Sequence, residues 1–89
     1  MKSYLITYDL MKQGQNYEEL YKEIKAIGSW CHILESNWVI KTDLTAVQVR
    51  DRITPHIDKN DKVFVAHLSG EAAWIRLDTE RSDWLKANL

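Results

Sequence analysis

The chain has 89 residues, of which 45% are hydrophobic, and its 12 Lys and Arg against 13 Asp and Glu give a formal net charge of −1. A chain of this length predicts one domain, 1–89, that buries only about 60 to 65% of its unfolded surface. Its single cysteine, Cys31, excludes an intramolecular disulfide. Charges of both signs are mixed along the chain, which argues against holding duplex nucleic acid through many phosphates. We find no membrane-spanning run or signal peptide pattern and expect a soluble, cytoplasmic protein without membrane contact.

The first strand is predicted over residues 2–9, and its side chains alternate between two largely apolar faces. One face carries Tyr4, Ile6 and Tyr8, and the other carries Leu5, Thr7 and Asp9. Such a strand belongs inside a sheet with something packed on each side. A helix is predicted over 17–27, because Asn16 and Glu19 have capping-box spacing and apolar residues follow at helical spacing.

Further along, two extended stretches, 30–34 and 37–41, predict an antiparallel pair. Thr45 and Gln48 form a second capping-box pattern, which predicts a helix ending near Ile53. A fourth strand is predicted over 62–69. The order β-α-β-β-α-β predicts an α+β, ferredoxin-like domain, in which two helices cover one face of a four-stranded antiparallel sheet.

Residues 71–89 form a C-terminal extension, predicted as a short strand over 72–77 and a helix over 80–88 that follows a Thr79 cap. The extension is too apolar for a disordered tail, and two helices leave one sheet face uncovered. We therefore expect the extension to pack on that face or on a partner subunit. This assigns three apolar residues to the interface of a homodimer: Trp74, Ile75 and Leu77.

The segments "YLITYDL", "ESNWVI" and "GEAAW", spaced by this element order, resemble the small subunits of the CRISPR-associated integration complex. They resemble still more closely the SinR-like and VapD-like proteins. The resemblance implies a ferredoxin-like homodimer in which an aspartate at the end of the first strand faces its mate across the two-fold axis and binds Mg²⁺. In this sequence that residue is Asp9, which would be both the catalytic residue and the metal ligand.

The resemblance also suggests residues that bind substrate. Ser36 and Trp38 match a serine and a bulky residue after the second strand, and Tyr8 precedes the aspartate. Family members with nuclease activity carry arginines after the aspartate, whereas here only Lys12 is available for that role. Lysine cannot bind a phosphate in the bidentate manner of arginine. Trp38 and Trp74 are also candidates for stacking on bases, but without interleaved Arg and Lys, packing at a dimer interface explains them better.

Asp9 supports two interpretations that the residues alone leave open. Mg²⁺ usually keeps several waters and takes one or two carboxylates, which a two-fold axis near Asp9 would supply. Alternatively, Asp9 is structural and accepts backbone hydrogen bonds from the loop that follows it. The first interpretation predicts a homodimeric Mg²⁺-dependent endonuclease that acts on RNA or DNA. The second predicts a non-catalytic dimer that docks a protein or a nucleic acid.

Overall fold

The computed structural model describes residues 1–11 and 17–89, which form four β-strands and three α-helices. In chain order these are β1 (Lys2–Asp9), α1 (Glu18–Ile27), β2 (Ser29–Leu34), β3 (Asn37–Thr42), α2 (Ala46–Ile53), β4 (Lys62–His67) and α3 (Thr79–Asn88). A single 3₁₀ turn, Thr54–His56, follows α2 and contains Pro55. The α+β class is thus confirmed.

The four strands form one sheet in the order β2-β3-β1-β4, and each neighbouring pair is antiparallel. This confirms the predicted four-stranded antiparallel sheet and is compatible with a ferredoxin-like plan. β1 is central, so Tyr4 lies opposite Ile40 of β3 on one side and His67 of β4 on the other. At the far end of β1, Asp9 lies opposite Lys62, the first residue of β4.

The inner face of the sheet, which carries Tyr4, Ile6 and Tyr8 of β1, packs against α1 and α2. The helices contribute the apolar residues of their buried sides to the same core: Leu20, Ile24, Ile27, Val49 and Ile53. Burying an apolar side chain of this size contributes about 1.5 to 3 kcal/mol. This layer therefore holds most of the hydrophobic stabilisation of the chain.

The two inner helices begin differently. At α2 the predicted capping box is confirmed, since the Thr45 hydroxyl accepts from the Gln48 backbone N–H at 3.2 Å and the Gln48 side chain accepts from Thr45 N–H at 2.9 Å. At α1 the predicted cap, Asn16, lies outside the described residues. Tyr17 occupies the position before α1 and makes no side-chain cap hydrogen bond.

Gly28 joins α1 directly to β2 and lies against β3. A Cβ atom at this position would approach the backbone oxygen of Lys41 to 2.1 Å. Only glycine fits this close contact without displacing β3. Gly28 therefore allows the C-terminal end of α1 to lie close to the sheet.

The outer face of the sheet, with Ser3, Leu5, Thr7 and Asp9 of β1, is partly covered by the C-terminal extension. Ser3 Oγ donates to Asn88 O at 2.7 Å, and Trp84 Nε1 donates to Ser29 Oγ at 3.1 Å. Leu85 of α3 is 3% exposed. The extension thus packs on the sheet of its own chain, and it leaves the Asp9 end of that face open.

Two predictions for the extension were wrong in detail. Residues 72–77 are not a strand, and within this segment Arg76 has a positive φ of 64°, which an extended run does not contain. The cap of α3 is Asp78 and not Thr79, since the Asp78 carboxylate accepts from the Arg81 backbone N–H at 2.9 Å.

Within residues 1–11 and 17–89, every helix is too short or too polar to cross a membrane.

Candidate functional site

Asp9 is the last residue of β1 and is exposed on the open part of the outer face. It borders a shallow cavity of about 150 Å³, which is also lined by Thr7, Lys62 and Phe64. The antiparallel register aligns Asp9 with Lys62 and Thr7 with Phe64. A carboxylate, an ammonium group, a hydroxyl and an exposed aromatic ring therefore share one small surface, which we call the Asp9 surface.

The hydrogen bonds near the end of β1 bear on the structural interpretation of Asp9. The Met11 backbone N–H donates to Asp61 Oδ1 at 2.7 Å, and the Tyr17 hydroxyl donates to Asp61 Oδ2 at 3.1 Å. Asp61 also accepts from the Asp58 backbone N–H at 2.8 Å. Across the described residues, Asp9 forms neither a hydrogen bond nor an ion pair. The described part of the loop is thus held by Asp61, and the carboxylate of Asp9 stays available to solvent.

Tyr8, the neighbour of Asp9, points to the inner face and is 4% exposed. Its hydroxyl accepts a hydrogen bond from Trp38 Nε1 at 2.9 Å. Burial raises the pKa of Tyr8 to about 12, so its hydroxyl stays protonated at neutral pH. Tyr8 and Asp9 are adjacent in sequence but lie on opposite sides of the sheet.

Trp38 is 1% exposed, and its indole is stacked against the His32 ring with 3.9 Å between ring centroids. In this fold its ring faces the core and offers no surface to a nucleic acid base. Ser36 lies in the β2–β3 turn, and its carbonyl accepts from the Tyr8 backbone N–H at 3.2 Å, which brings Ser36 to the Asp9 end of the sheet. Lys12, the fourth substrate-binding candidate, lies outside the described residues.

The three residues assigned to the dimer interface line a cavity that also includes residues of α3 and of the outer face. Trp74 is half-buried and donates from Nε1 to Ser82 Oγ at 3.1 Å, and Leu77 is half-buried beside it. Ile75 is 72% exposed. All three line an apolar cavity of about 390 Å³ that also reaches Leu34, which is 55% exposed.

The donor set for Mg²⁺ within one chain is small. No group of three or more His, Cys, Asp or Glu in ligand geometry occurs among residues 1–11 and 17–89. Asp9 is an exposed oxygen donor beside a hydroxyl residue, Thr7. This fits a Mg²⁺ site of one or two carboxylates and several waters, provided that a second chain brings its own Asp9.

Lys62 and Phe64 were not predicted from the sequence as members of this surface. The signal that identifies them is the pairing of β1 with β4, which places the start of β4 beside the end of β1. A comparison of the chain with protein-family models finds no match.

Proposed function

We propose that this chain is a ferredoxin-like homodimer, related to the small subunits of the CRISPR-associated integration complex and to the SinR-like and VapD-like proteins, that hydrolyses phosphodiesters with Mg²⁺ at paired Asp9 residues. The observation that carries the proposal is the exposed carboxylate of Asp9, which makes no hydrogen bond or ion pair to any described residue. The backbone N–H of Met11, which the structural interpretation would pair with Asp9, donates to Asp61 instead. We further propose a cytoplasmic location, consistent with the single cysteine.

Three residues of the Asp9 surface have a role in this proposal. Asp9 would hold the metal, which when bound neutralises phosphate charge and lowers the pKa of a coordinated water. Lys62, opposite Asp9, supplies positive charge for a phosphate oxygen. Phe64, which is 63% exposed, offers a ring on which a base can stack. The resemblance had suggested Lys12 and Trp38 for substrate binding.

Exposed apolar side chains on the outer face support the dimer. Phe64, Leu34 and Ile75 are 63%, 55% and 72% exposed, which is unusual for three large apolar residues on one side of a small chain. Contact with a second chain would bury them and bring two copies of the outer face together. Such an arrangement is required if two Asp9 carboxylates are to share one ion.

The nuclease proposal is tested with purified protein, single-stranded RNA and duplex DNA, each in Mg²⁺, Mn²⁺ or EDTA. We expect cleavage with Mg²⁺ or Mn²⁺ that EDTA abolishes and that Asp9→Asn lowers by about 100-fold or more, as loss of a metal ligand should. Asp83→Asn, which neutralises an exposed carboxylate on α3, is the matched control and should keep full activity. Light scattering should give twice the chain mass.

A second function, a non-catalytic dimer that docks a protein or a nucleic acid, is favoured by the absence of a three-residue metal-ligand group in the described chain. The same experiment separates the two functions. A dimer that cleaves neither substrate, or cleaves both equally well after Asp9→Asn, contradicts the nuclease proposal and leaves the docking function. A monomer at working concentration contradicts both.

A further inference from the structure

A further cavity, of about 350 Å³ and with a mainly apolar lining, lies at the free edge of β2, whereas the Asp9 surface lies beside β4 at the other edge of the sheet. Its walls are formed by Trp30, Cys31 and His32 of β2 and by Glu80, Arg81 and Trp84 of α3. The volume lies within the range of about 300 to 1,000 Å³ that is typical of small-ligand pockets. We call it the β2-edge cavity.

Two indole rings contribute to the walls of this cavity. Trp30 is 39% exposed although it is among the largest side chains of the chain. Trp84 is half-buried, and Ser29 Oγ accepts its indole N–H at 3.1 Å, which fixes the ring and satisfies its polar atom. The rings reach the cavity from opposite sides of β2, because Trp30 pairs with Ile40 of the inner face whereas Trp84 is bonded to Ser29 on the outer face. Each ring offers planar apolar surface, which is stabilised by stacking on another planar ring.

The polar groups at this cavity carry both signs of charge. Arg81 Nε donates to His32 O at 2.8 Å and Arg81 also pairs with Asp78, so its guanidinium is held at the wall. Glu80 forms no hydrogen bond or ion pair within residues 1–11 and 17–89. Lys25 Nζ lies 4.8 Å from the centroid of the Trp30 ring. The wall therefore presents a hydrogen-bond donor, an acceptor and a further cation near the aromatic surface.

We propose that the β2-edge cavity binds a nucleobase, either of a free nucleotide or of a base exposed in a single strand. The edges of nucleobases carry donors and acceptors, which Glu80 and Arg81 complement. A base face can stack on the ring of Trp84, and Trp30 adds aromatic surface from the inner side of β2. Lys25 provides charge for a phosphate. These residues are different from Trp38 and Trp74, which the sequence suggested as stacking candidates.

The nucleobase site is independent of the function proposed for Asp9. Trp30 pairs with Ile40, which pairs with Tyr4, five residues before Asp9 on the central strand. With about 3.4 Å per residue and about 4.8 Å per strand, the two sites lie ~20 Å apart along the sheet. Asp9→Asn should therefore leave nucleobase binding unchanged even where it abolishes cleavage.

The test is titration calorimetry of the full chain with AMP, GMP, CMP and UMP and with a single-stranded decanucleotide. We expect saturable binding of at least one of these ligands. Trp30→Leu and Trp84→Leu should each weaken it by about 5- to 100-fold, the range for removing one stacking ring. Trp74→Leu is the matched control, because Trp74 lines the apolar cavity on the outer face, and it should bind like the wild type.

Further variants separate ligand recognition from folding. Trp30→Phe keeps an aromatic ring and should recover most of the affinity lost in Trp30→Leu. Arg81→Gln should weaken binding by about tenfold, as expected for one charged hydrogen bond. Arg76→Gln, in the exposed part of the extension, should have no effect. Circular dichroism establishes that each variant is folded.

The outcomes distinguish the two sources of the base. Binding of mononucleotides or of the decanucleotide, weakened in the variants as stated above, supports the site. The class of ligand that binds identifies the source of the base. Absence of saturable binding by both classes at millimolar concentration overturns the proposal. So does ribose 5-phosphate that binds as tightly as AMP, or an affinity that Trp74→Leu lowers as much as Trp30→Leu.

Discussion

Adjacent residues of β1 lie in opposite environments on the inner and outer faces of the sheet. On the inner face, Tyr8 is buried under the helices and its hydroxyl is bonded to Trp38. On the outer face, Asp9 is exposed beside Lys62 and Phe64. The inner face is a closed core with its polar groups satisfied, and the outer face is half-covered by the extension. Groups that can bind another molecule are therefore to be sought on the outer face and at the sheet edges.

The largest expected difference between the faces is the loss of free energy of unfolding when an aromatic side chain is removed. Trp38→Ala should lower the free energy of unfolding by about 3 to 5 kcal/mol, because it leaves a cavity in the core and removes the donor to Tyr8. Phe64→Ala, on the open outer face, should change it by less than about 0.5 kcal/mol when the proposed dimer is diluted until light scattering gives the mass of one chain. Urea denaturation measures both, and equal losses would show that the outer face is covered in solution.

A smaller effect tests how firmly the extension is bound to the sheet. Leu85 is 3% exposed, so Leu85→Ala should lower the free energy of unfolding by about 2 to 4 kcal/mol. Ile75→Ala, at a side chain that is 72% exposed in the single chain, is the matched control and should be nearly neutral under the same dilute, monomeric condition. If Leu85→Ala is also neutral in thermal and urea unfolding, the extension does not contribute to the folded core.

The smallest expected effect is a loss of stability at alkaline pH through Tyr8. Burial raises its pKa from 10.0 to about 12, so the folded chain holds this proton more tightly than the unfolded chain does. The resulting stabilisation is complete below about pH 10 and is lost as the pH rises toward 12. We expect the urea midpoint of the wild type to fall more steeply over this interval than that of Tyr8→Phe. Parallel pH profiles for the two proteins would contradict the assignment.

The sequence predicted the elements whose signals are local. The strand over 2–9 has the observed bounds, and the capping box of Thr45 and Gln48 starts α2 as expected. Alternation along β1 also separated Tyr8 from Asp9 correctly, because successive side chains of a strand point to opposite faces. These signals depend on residues that are close in the chain, and they can therefore be recognised from the sequence alone.

The features that the sequence did not predict depend on contacts between distant segments. Lys62 and Phe64 reach Asp9 through strand pairing, and Asp61 reaches Met11 across 50 residues. The extension was expected to contain a strand, but the positive φ of Arg76 has no signal in its residue type. Trp38 was assigned to substrate from the resemblance, and a match of residue types does not tell which face of a strand the helices cover.

The hydrogen bonds of the Asp61 carboxylate bear on how much the length of the connection after β1 can change. It accepts from both Met11 and Tyr17, which stand on either side of residues 12–16, and so fixes the two ends of that connection to one point near the start of β4. Lengthening a connection with anchored ends adds little closure entropy. Insertions between these anchors should therefore be accommodated without moving the end of β1, so that this connection is a place where the chain tolerates added length.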